Sequence, residues 1–423
     1  MSEESEHRPE DGRADVTIRH KDPPNRRAFL VGATSVLGMA AANLLLSPPS
    51  GRALDVPGDP TKVPGALATV YGSRSRFEQA KRLTKPQHSR TPLQDLQGII
   101  TPSALHFERH HNGVPLIDPS RHRLLVHGLV EHSLIFTMDE LKRFPATSRI
   151  AFVECSGNSG KEWKGPKGKT VQEIHGLTST SEWTGVRLST VLEEAHLKPE
   201  ATWMLAEGSD AAAMTRSIPL DRVWDNALLC YAQNGEPLRP EQGYPLRLLL
   251  PGWEGNTCIK WLRRLKLVSA PLMTREETSK YTDLMPDGTA RQFTFEMEAK
   301  SVITSPSGGQ RLKASGFVEI RGLAWSGRGR VEKVDVSVDG GQTWQEAELQ
   351  NPILPQCHTR FRFAWHWEGQ EAILQSRCTD ETGYQQPTLK ELIEVRGINS
   401  YYHNNAIQSW KINEDGNLRN VQV

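Results

Sequence analysis

Short apolar runs broken by turn residues make most of this chain read as strand. Arg121–Val130 alternates around Leu124 and Val126 and stops at Gly128, which predicts a strand. Thr137-Met138-Asp139-Glu140 is a capping box opening a short helix that Pro145 ends. Ile150–Val153 predicts a buried strand that delivers Cys155 to a loop of small residues, Ser156–Gly160. Residues 160–182 show no period and are expected to form a polar loop walling the cysteine's site. Leu188, Val191, Leu192 and Ala195 then fall on one face of a helix. Ala201–Ala206 and Ala227–Ala232 predict strands, the second entering an Asn234-Gly235 hairpin turn. Leu246–Leu250 predicts a strand broken by Pro251-Gly252, and Trp253–Arg264 begins as loop and becomes strand.

The pattern changes near residue 300. Val334, Val336 and Val338 alternate into an Asp339-Gly340 turn, and Phe361, Phe363, Trp365 and Trp367 alternate over one run. Ala372–Cys378 and Leu389–Val395 add strand-like segments, so residues 298–423 predict a β-sandwich. Residues 54–100 carry little periodicity and are expected to be an extended arm over the surface. Before them, Arg26-Arg27-Ala28-Phe29-Leu30 precedes an apolar, small-residue stretch ending at Ser47-Pro48-Pro49. That three-part form resembles a twin-arginine export signal over residues 1–53, which places the protein in the periplasm. The stretch is too short and too interrupted for a membrane anchor.

Composition narrows the class. The 423 residues allow two or three domains, and a formal net charge of +1 with 24% charged residues argues against a nucleic-acid partner. The five cysteines, 155, 230, 258, 357 and 378, include no Cys-x-x-Cys, so neither a c-type haem attachment nor a zinc ribbon is encoded. Cys357 and Cys378 are spaced so that pairing is open, and Cys230 and Cys258 read as core.

Candidate chemistry centres on Cys155. A thiolate fixed at a strand end suits a transition metal or a nucleophile; a buried packing cysteine is the bland alternative. Upstream, His106, Arg109, His110 and His111 gather before an Asn112-Gly113 turn. Their spacing fits no common metal set, and Arg109 suits an oxyanion better. The loop Gly255–Lys260 combines small residues, hydroxyl and amide donors and a lysine, which suits a phosphate. His175 reads as a solvated loop residue and Glu154 as a structural hydrogen-bonding group.

Taken together, Phe107-x-Arg109-x-His111-x-x-x-Pro115, Glu154-Cys155-Ser156-Gly157-Asn158, Trp183-Thr184-Gly185-Val186, Pro245-Leu246-Arg247, Lys260-Trp261-Leu262, Asp339-Gly340-Gly341 and Arg396-Gly397 resemble the sulfite oxidase family of molybdenum enzymes. Arg275–Thr282 resembles the branch of that family acting on sulfane sulfur. The resemblance covers residues 95–423 and implies an α+β fold. It comprises a mixed α/β molybdopterin-binding domain, 101–297, and an immunoglobulin-like dimerisation domain, 298–423. It implies Cys155 as metal ligand, with Arg109, Trp183, Tyr281 and Arg396 around the sulfur oxyanion. His111, Ser156, Asn158, Arg247, Thr257 and Lys260 are implied to hold the molybdopterin. The implied reaction adds oxygen from water to sulfur and sends electrons out singly. No Cys-x-x-Cys-His occurs, so a c-type cytochrome subunit is expected as acceptor, in a heteromer built on a dimer of this chain. Departures carry information too. Ser159-Gly160 stands where animal and plant members have arginine, which predicts a wider, less cationic entrance and a substrate borne on a carrier protein's cysteine arm. Thr257 and Gln242 replace an arginine and a histidine of the phosphate site. Two rival readings are a dehydrogenase for free sulfite and, from another class, a non-enzymatic binding protein without metal.

Overall fold

The computed structural model describes residue 58 and residues 64–423. The expected export signal at 1–53 lies outside the described residues. Contacts divide the chain into two units, Met1–Ser73 and Arg74–Val423. In the first, residues 64–73 form no helix or strand and are exposed.

Within the second unit, the segment expected to be a surface arm is ordered into the fold. Leu83–Lys85 and His88–Arg90 make a hairpin, and its second strand pairs with Glu108–Arg109. Ser89, Thr91 and Leu93 are buried. The Thr91 hydroxyl meets that of Ser179 at 2.6 Å. Hydropathy does not register such burial, because a hydrogen bond satisfies each polar atom.

Two sheets enclose the first core. One is antiparallel, in the order Glu236–Pro237, Leu228–Gln233, Thr178–Arg187, Ala146–Glu154, with Arg247–Leu249 also paired to Leu228–Gln233. The other runs Leu134–Phe136, Leu124–Gly128, Leu262–Val268, Trp203–Gly208, Thr215–Pro219, and its one parallel pair joins Leu124–Gly128 to Leu262–Val268. The helix Leu188–Glu194 covers this core with Leu188, Val191 and Leu192, each fully buried. Full burial of such side chains stabilises by roughly 1.5–3 kcal/mol apiece. The α-helices of the described residues are short, four to eight residues. None is long and apolar enough to cross a membrane.

Residues 300–421 form the expected sandwich. One sheet is Lys300–Ser305, Gly316–Trp325, Thr359–Trp367, Glu348–Gln350; the other is Gln345–Glu346, Val331–Ser337, Ala372–Asp380, Ser409–Ile412, Leu418–Val421. Val334, Val336, Phe361 and Leu374 fill its interior. Two local predictions need correction. Leu389–Arg396 is a helix, not a strand, opened by a capping box between Thr388 and Glu391. The segment 160–182 is not a plain loop: it holds a short helix, Val171–His175, and Thr178 opens a ten-residue strand. Thr178, Ser179, Thr180 and Ser181 are fully buried there, and their polarity hid the strand.

The strand Ala146–Glu154 joins the two cores. Alternation sends Ala151 and Val153 into the first core and Phe152 into the second, beside Val171 and Ile174. It lies at the end of its sheet, and its free edge is covered. The Phe152 amide donates to the Gln356 carbonyl at 2.9 Å, and the Cys357 thiol donates to the Ile150 carbonyl at 2.9 Å. All five cysteines are free, so Cys357 and Cys378 do not pair; Cys230 and Cys258 are core, as expected.

Candidate active site

Cys155 follows the strand end and, unlike the other four cysteines, is not fully buried. A buried clasp fixes its loop from below. Glu154 accepts hydrogen bonds from Asn158 (2.9 Å), Lys300 (3.3 Å) and the Trp325 indole (2.7 Å). Lys300 also donates to the Ser159 hydroxyl at 3.0 Å and the Asn404 carbonyl at 2.8 Å. Glu154 is thus structural, as read from the sequence. On the other side the Gly255 amide donates to the Glu154 carbonyl at 2.6 Å. A Cβ at 255 would stand 2.8 Å from that oxygen, so the close approach requires glycine.

The cysteine opens into a pocket lined by Arg109, His111, Arg247, Lys260, Tyr281 and Asn256 among others. Six predicted site residues therefore meet: Arg109, His111, Cys155, Arg247, Lys260 and Tyr281. The pocket wall carries three basic side chains, Arg109, Arg247 and Lys260, against one carboxylate, Asp210. No carboxylate of the described residues forms an ion pair with Arg109, Arg247 or Lys260. Lys260 donates to the carbonyls of Arg109 and Glu241, each at 2.9 Å. Burial, with Arg247 nearby, pushes its amine down to about 7. Its neighbour Trp261 holds a left-handed backbone (φ 55°), and the ammonium sits 4.3 Å over that indole. Arg247 Nε and Asn256 Oδ1 are buried in this wall without a hydrogen-bond partner. Unpaired buried polar groups cost ~1–3 kcal/mol each, so a polar ligand belongs there. Burial raises the Cys155 thiol, while the Gly157 amide, Arg109 and Arg90 pull it down.

Tyr281 is carried by a π-helical turn, Glu276–Lys280, whose last amide link is Tyr281 N–H to the Glu276 carbonyl at 2.9 Å. Such turns are often found at functional sites. Its hydroxyl lies 3.3 Å from His111 Nε2. Beneath its ring, at 5.0 Å, sits the guanidinium of Arg216. Arg216 is fully buried between Glu254 and Glu277, at 2.9 Å from each. Burial would raise the Glu254 carboxyl, but Arg216 and His403 outweigh it and hold it low. Burial and the nearby Cys155 raise the Tyr281 phenol well above its usual range, so it stays protonated. His111 is pushed down by burial, then by Arg109 and Arg275, which favours neutral imidazole.

Other predicted residues are placed elsewhere. Trp183 does not line the pocket: it is fully buried, its indole donates to the Ala151 carbonyl, and Arg247 lies 5.0 Å over its ring. It props Arg247 from behind. Arg396 is also outside the pocket, paired with Glu298 at 3.1 Å and Asp283 at 3.7 Å, which neutralise its charge. Asn158 turns inward to Glu154 and the His175 carbonyl. The Thr257 hydroxyl donates to the Glu254 carbonyl, and Ser156 accepts from Asn256. His175 is not solvated; it is buried against Ser159 at 2.8 Å. Nor is Ser159-Gly160 an open gap. Ser159 faces inward, and Gly160 packs against Tyr401, whose carbonyl would meet a Cβ at 2.5 Å. Sequence reading gave no role to Arg216, Glu277 or Tyr401 and did not single out Glu254, and none of the four stands in a local pattern that marks it; Asn256 is the amide of the Gly255–Lys260 loop read as suited to a phosphate.

Among the described residues, no three His, Cys, Asp or Glu side chains converge on a metal-sized site. A metal at Cys155 would therefore take its remaining ligands from a cofactor. Comparison with known proteins bears on that cofactor. Residues 111–275 match the family model described as oxidoreductase molybdopterin binding domain, and residues 291–410 that described as Mo-co oxidoreductase dimerisation domain. Mitochondrial sulfite oxidase of Rattus norvegicus is 33% identical over 379 residues, 81% of this chain and 68% of that protein. The Mus musculus enzyme is 35% identical over 71% of this chain, which spans 60% of it. Nitrate reductase [NAD(P)H] of Hordeum vulgare is 32% identical over 76% of this chain and 40% of its own length. Among solved structures, the sulfane dehydrogenase SoxCD from Paracoccus pantotrophus is 46% identical. Its TM-score is 0.83, covering 86% of this chain and 96% of that one.

Proposed function

Since this chain belongs to the sulfite oxidase family of molybdopterin oxidoreductases, we propose that it oxidises sulfane sulfur held on a carrier protein's cysteine, adding oxygen from water. The observation that carries this reading is the meeting of Cys155, Arg109 and Tyr281 in one pocket whose further wall is Arg247 and Lys260. The residues fit the cofactor: a single open thiol, three basic side chains in no ion pair among the described residues, Arg109, Arg247 and Lys260, and two orphaned polar atoms. Arg247, Lys260 and His111 would hold its anionic part, and Cys155 its metal. Molybdenum on molybdopterin, when bound, supplies the two-electron redox chemistry. The chain's own residues do the rest. Arg109 draws the anionic sulfur group in and stabilises the charge that grows on its oxygens. Tyr281 keeps its proton and donates a hydrogen bond at the sulfur end, steadied by the Arg216 guanidinium beneath it.

The electrons pass to a c-type cytochrome subunit. The similarity to sulfane dehydrogenase SoxCD supports both the substrate and a heteromeric assembly. The dimerisation-domain match supports self-association through the sandwich. The paired arginines Arg26-Arg27 support twin-arginine export to the periplasm. The similarity to mitochondrial sulfite oxidases favours a second reading, oxidation of free sulfite. Kinetics with free sulfite and with carrier-bound sulfane sulfur, using cytochrome c as acceptor, separate the two. Faster turnover of the carrier-bound sulfur is expected. Efficient sulfite turnover with no activity on the carrier would sink the proposal.

A further inference from the structure

Between the helix Leu389–Arg396 and the strand Ser409–Ile412, the sandwich sends residues 397–408 back across the catalytic half. Ser400, His403 and Asn404 are buried along the way. The Ser400 hydroxyl donates to Asp283, two residues past Tyr281, at 2.7 Å. The Tyr402 ring lies 5.2 Å from the Tyr281 ring. The Asn404 carbonyl accepts from Lys300, and its side-chain amide donates to the Ser159 carbonyl at 3.3 Å. One segment of the sandwich therefore touches both the stretch around Tyr281 and the loop that carries Cys155.

His403 reaches both at once. Its backbone amide donates to the Ser156 carbonyl at 2.9 Å, next to the cysteine. Its imidazole Nε2 lies 3.0 Å from Glu254 Oε2. The Glu254 carboxylate, ionised beside Arg216, can only accept, so Nε2 carries the hydrogen. The other oxygen of Glu254 accepts from Arg216 at 2.9 Å. The Arg216 guanidinium in turn lies 5.0 Å beneath the Tyr281 ring. Contacts thus run unbroken from His403 through Glu254 and Arg216 to the phenol. Two features of His403 work against folding. Its backbone is left-handed, with φ 55°, which is costly for a residue with a Cβ. Its Nδ1 is buried without a hydrogen-bond partner. Such strain is kept where the surrounding structure needs one side-chain position, and here that position is the one on Glu254.

We propose that His403 is a positioning residue for Tyr281: it fixes Glu254 and, through it, the Arg216 cation under the phenol, while its main chain holds Ser156, so that the sandwich sets where the hydrogen-bond donor stands relative to the cysteine. This rests on the role proposed above for Tyr281. A packing role alone would ask only that residue 403 accept a left-handed backbone. Asparagine accepts it readily, but its amide reaches only as far as the imidazole Nδ1. Glutamine suits that backbone less, but its amide reaches the place of Nε2. The two roles therefore rank these replacements in opposite order.

The test uses the full-length protein as wild type, His403→Asn, His403→Gln and Tyr281→Phe, each labelled with 3-fluorotyrosine. The chain has seven tyrosines, and the Tyr281 fluorine resonance is the one that Tyr281→Phe removes. In His403→Asn that resonance is expected to move, with and without the cofactor, and in His403→Gln to return toward its wild-type position. Turnover is measured per bound molybdenum, on carrier-bound sulfane sulfur and on free sulfite. On whichever turns over, kcat should fall about tenfold or more in His403→Asn, since a small misplacement of a reacting group can cost about a hundredfold. KM should stay within about threefold, the pattern of an interaction made only in the transition state. His403→Gln should recover part of the kcat. A Tyr281 resonance unmoved in His403→Asn, or moved as far in His403→Gln, overturns the proposal. Where Tyr281→Phe loses kcat, an undiminished kcat in His403→Asn overturns it as well. If Tyr281→Phe keeps its kcat, the role proposed for Tyr281 fails, and the fluorine shift alone decides whether His403 fixes the ring. Should His403→Asn not accumulate, His403→Gly, which suits the same backbone, takes its place under the same criteria.

Discussion

Burial and two guanidinium groups pull the Cys155 thiol in opposite directions, and a metal ion would settle the contest by taking the thiolate. Cys155→Ser is therefore expected to lose molybdenum, by elemental analysis, while far-ultraviolet dichroism stays unchanged. Retained metal would remove Cys155 as ligand. Tyr281 makes a sharper kinetic prediction. Its phenol stays protonated, so Tyr281→Phe should lower kcat about a hundredfold at unchanged molybdenum content, the usual scale for a positioned proton donor. Equal kcat would leave it a packing residue. Lys260 predicts a pH dependence. Its amine, pushed down to about 7, is mostly neutral at pH 8 before any anion arrives. A bound anion favours the charged form, so binding takes up a proton there and weakens as pH rises above 7. Calorimetry of sulfate binding to cofactor-free protein in two buffers of different protonation enthalpy should show uptake of about one proton at pH 8. Lys260→Met should show none. The structure brings these three motif residues into one pocket and leaves Trp183 and Arg396 outside it, because a motif gives a position along the chain and not a side-chain direction.

At the scale of elements, alternation was readable wherever one face is apolar, as in Thr359–Trp367 and Val331–Ser337. It failed for Thr178–Arg187, where buried hydroxyls are satisfied by polar partners, Thr91 for Ser179 and the His358 imidazole for Thr178. Leu389–Arg396 was misread because its branched residues suit a strand, although Thr388-x-x-Glu391 announced a helix start. Thr388→Ala should cost about 1 kcal/mol, the usual worth of an N-cap, read from the urea midpoint. No shift would mean the helix is held by packing alone. Gly160→Ala tests the contact with Tyr401. The methyl group meets a backbone carbonyl, which has to shift, so a loss of about 1–3 kcal/mol is expected. A variant as stable as wild type would show that the Tyr401 segment yields.

Across the whole molecule, the two cores share one strand. Lys300, from the sandwich, is buried against Glu154, one residue before the ligand. Removing one partner of a buried pair typically costs about 3–5 kcal/mol, so Lys300→Met should lose that much stability. Dichroism and tryptophan fluorescence should still report a single coincident unfolding transition. Two separated transitions would show that the halves fold independently. The shared strand also bears on how relatives of this chain can recombine. A sandwich taken from another member cannot be spliced on at residue 298 as a free module. Lys300, Trp325, Asn404 and the segment covering the strand's edge near Gln356 form the underside of the cysteine loop. A chimera that keeps the reaction has to inherit those positions together with Glu154–Ser159, as one heritable block spanning both halves.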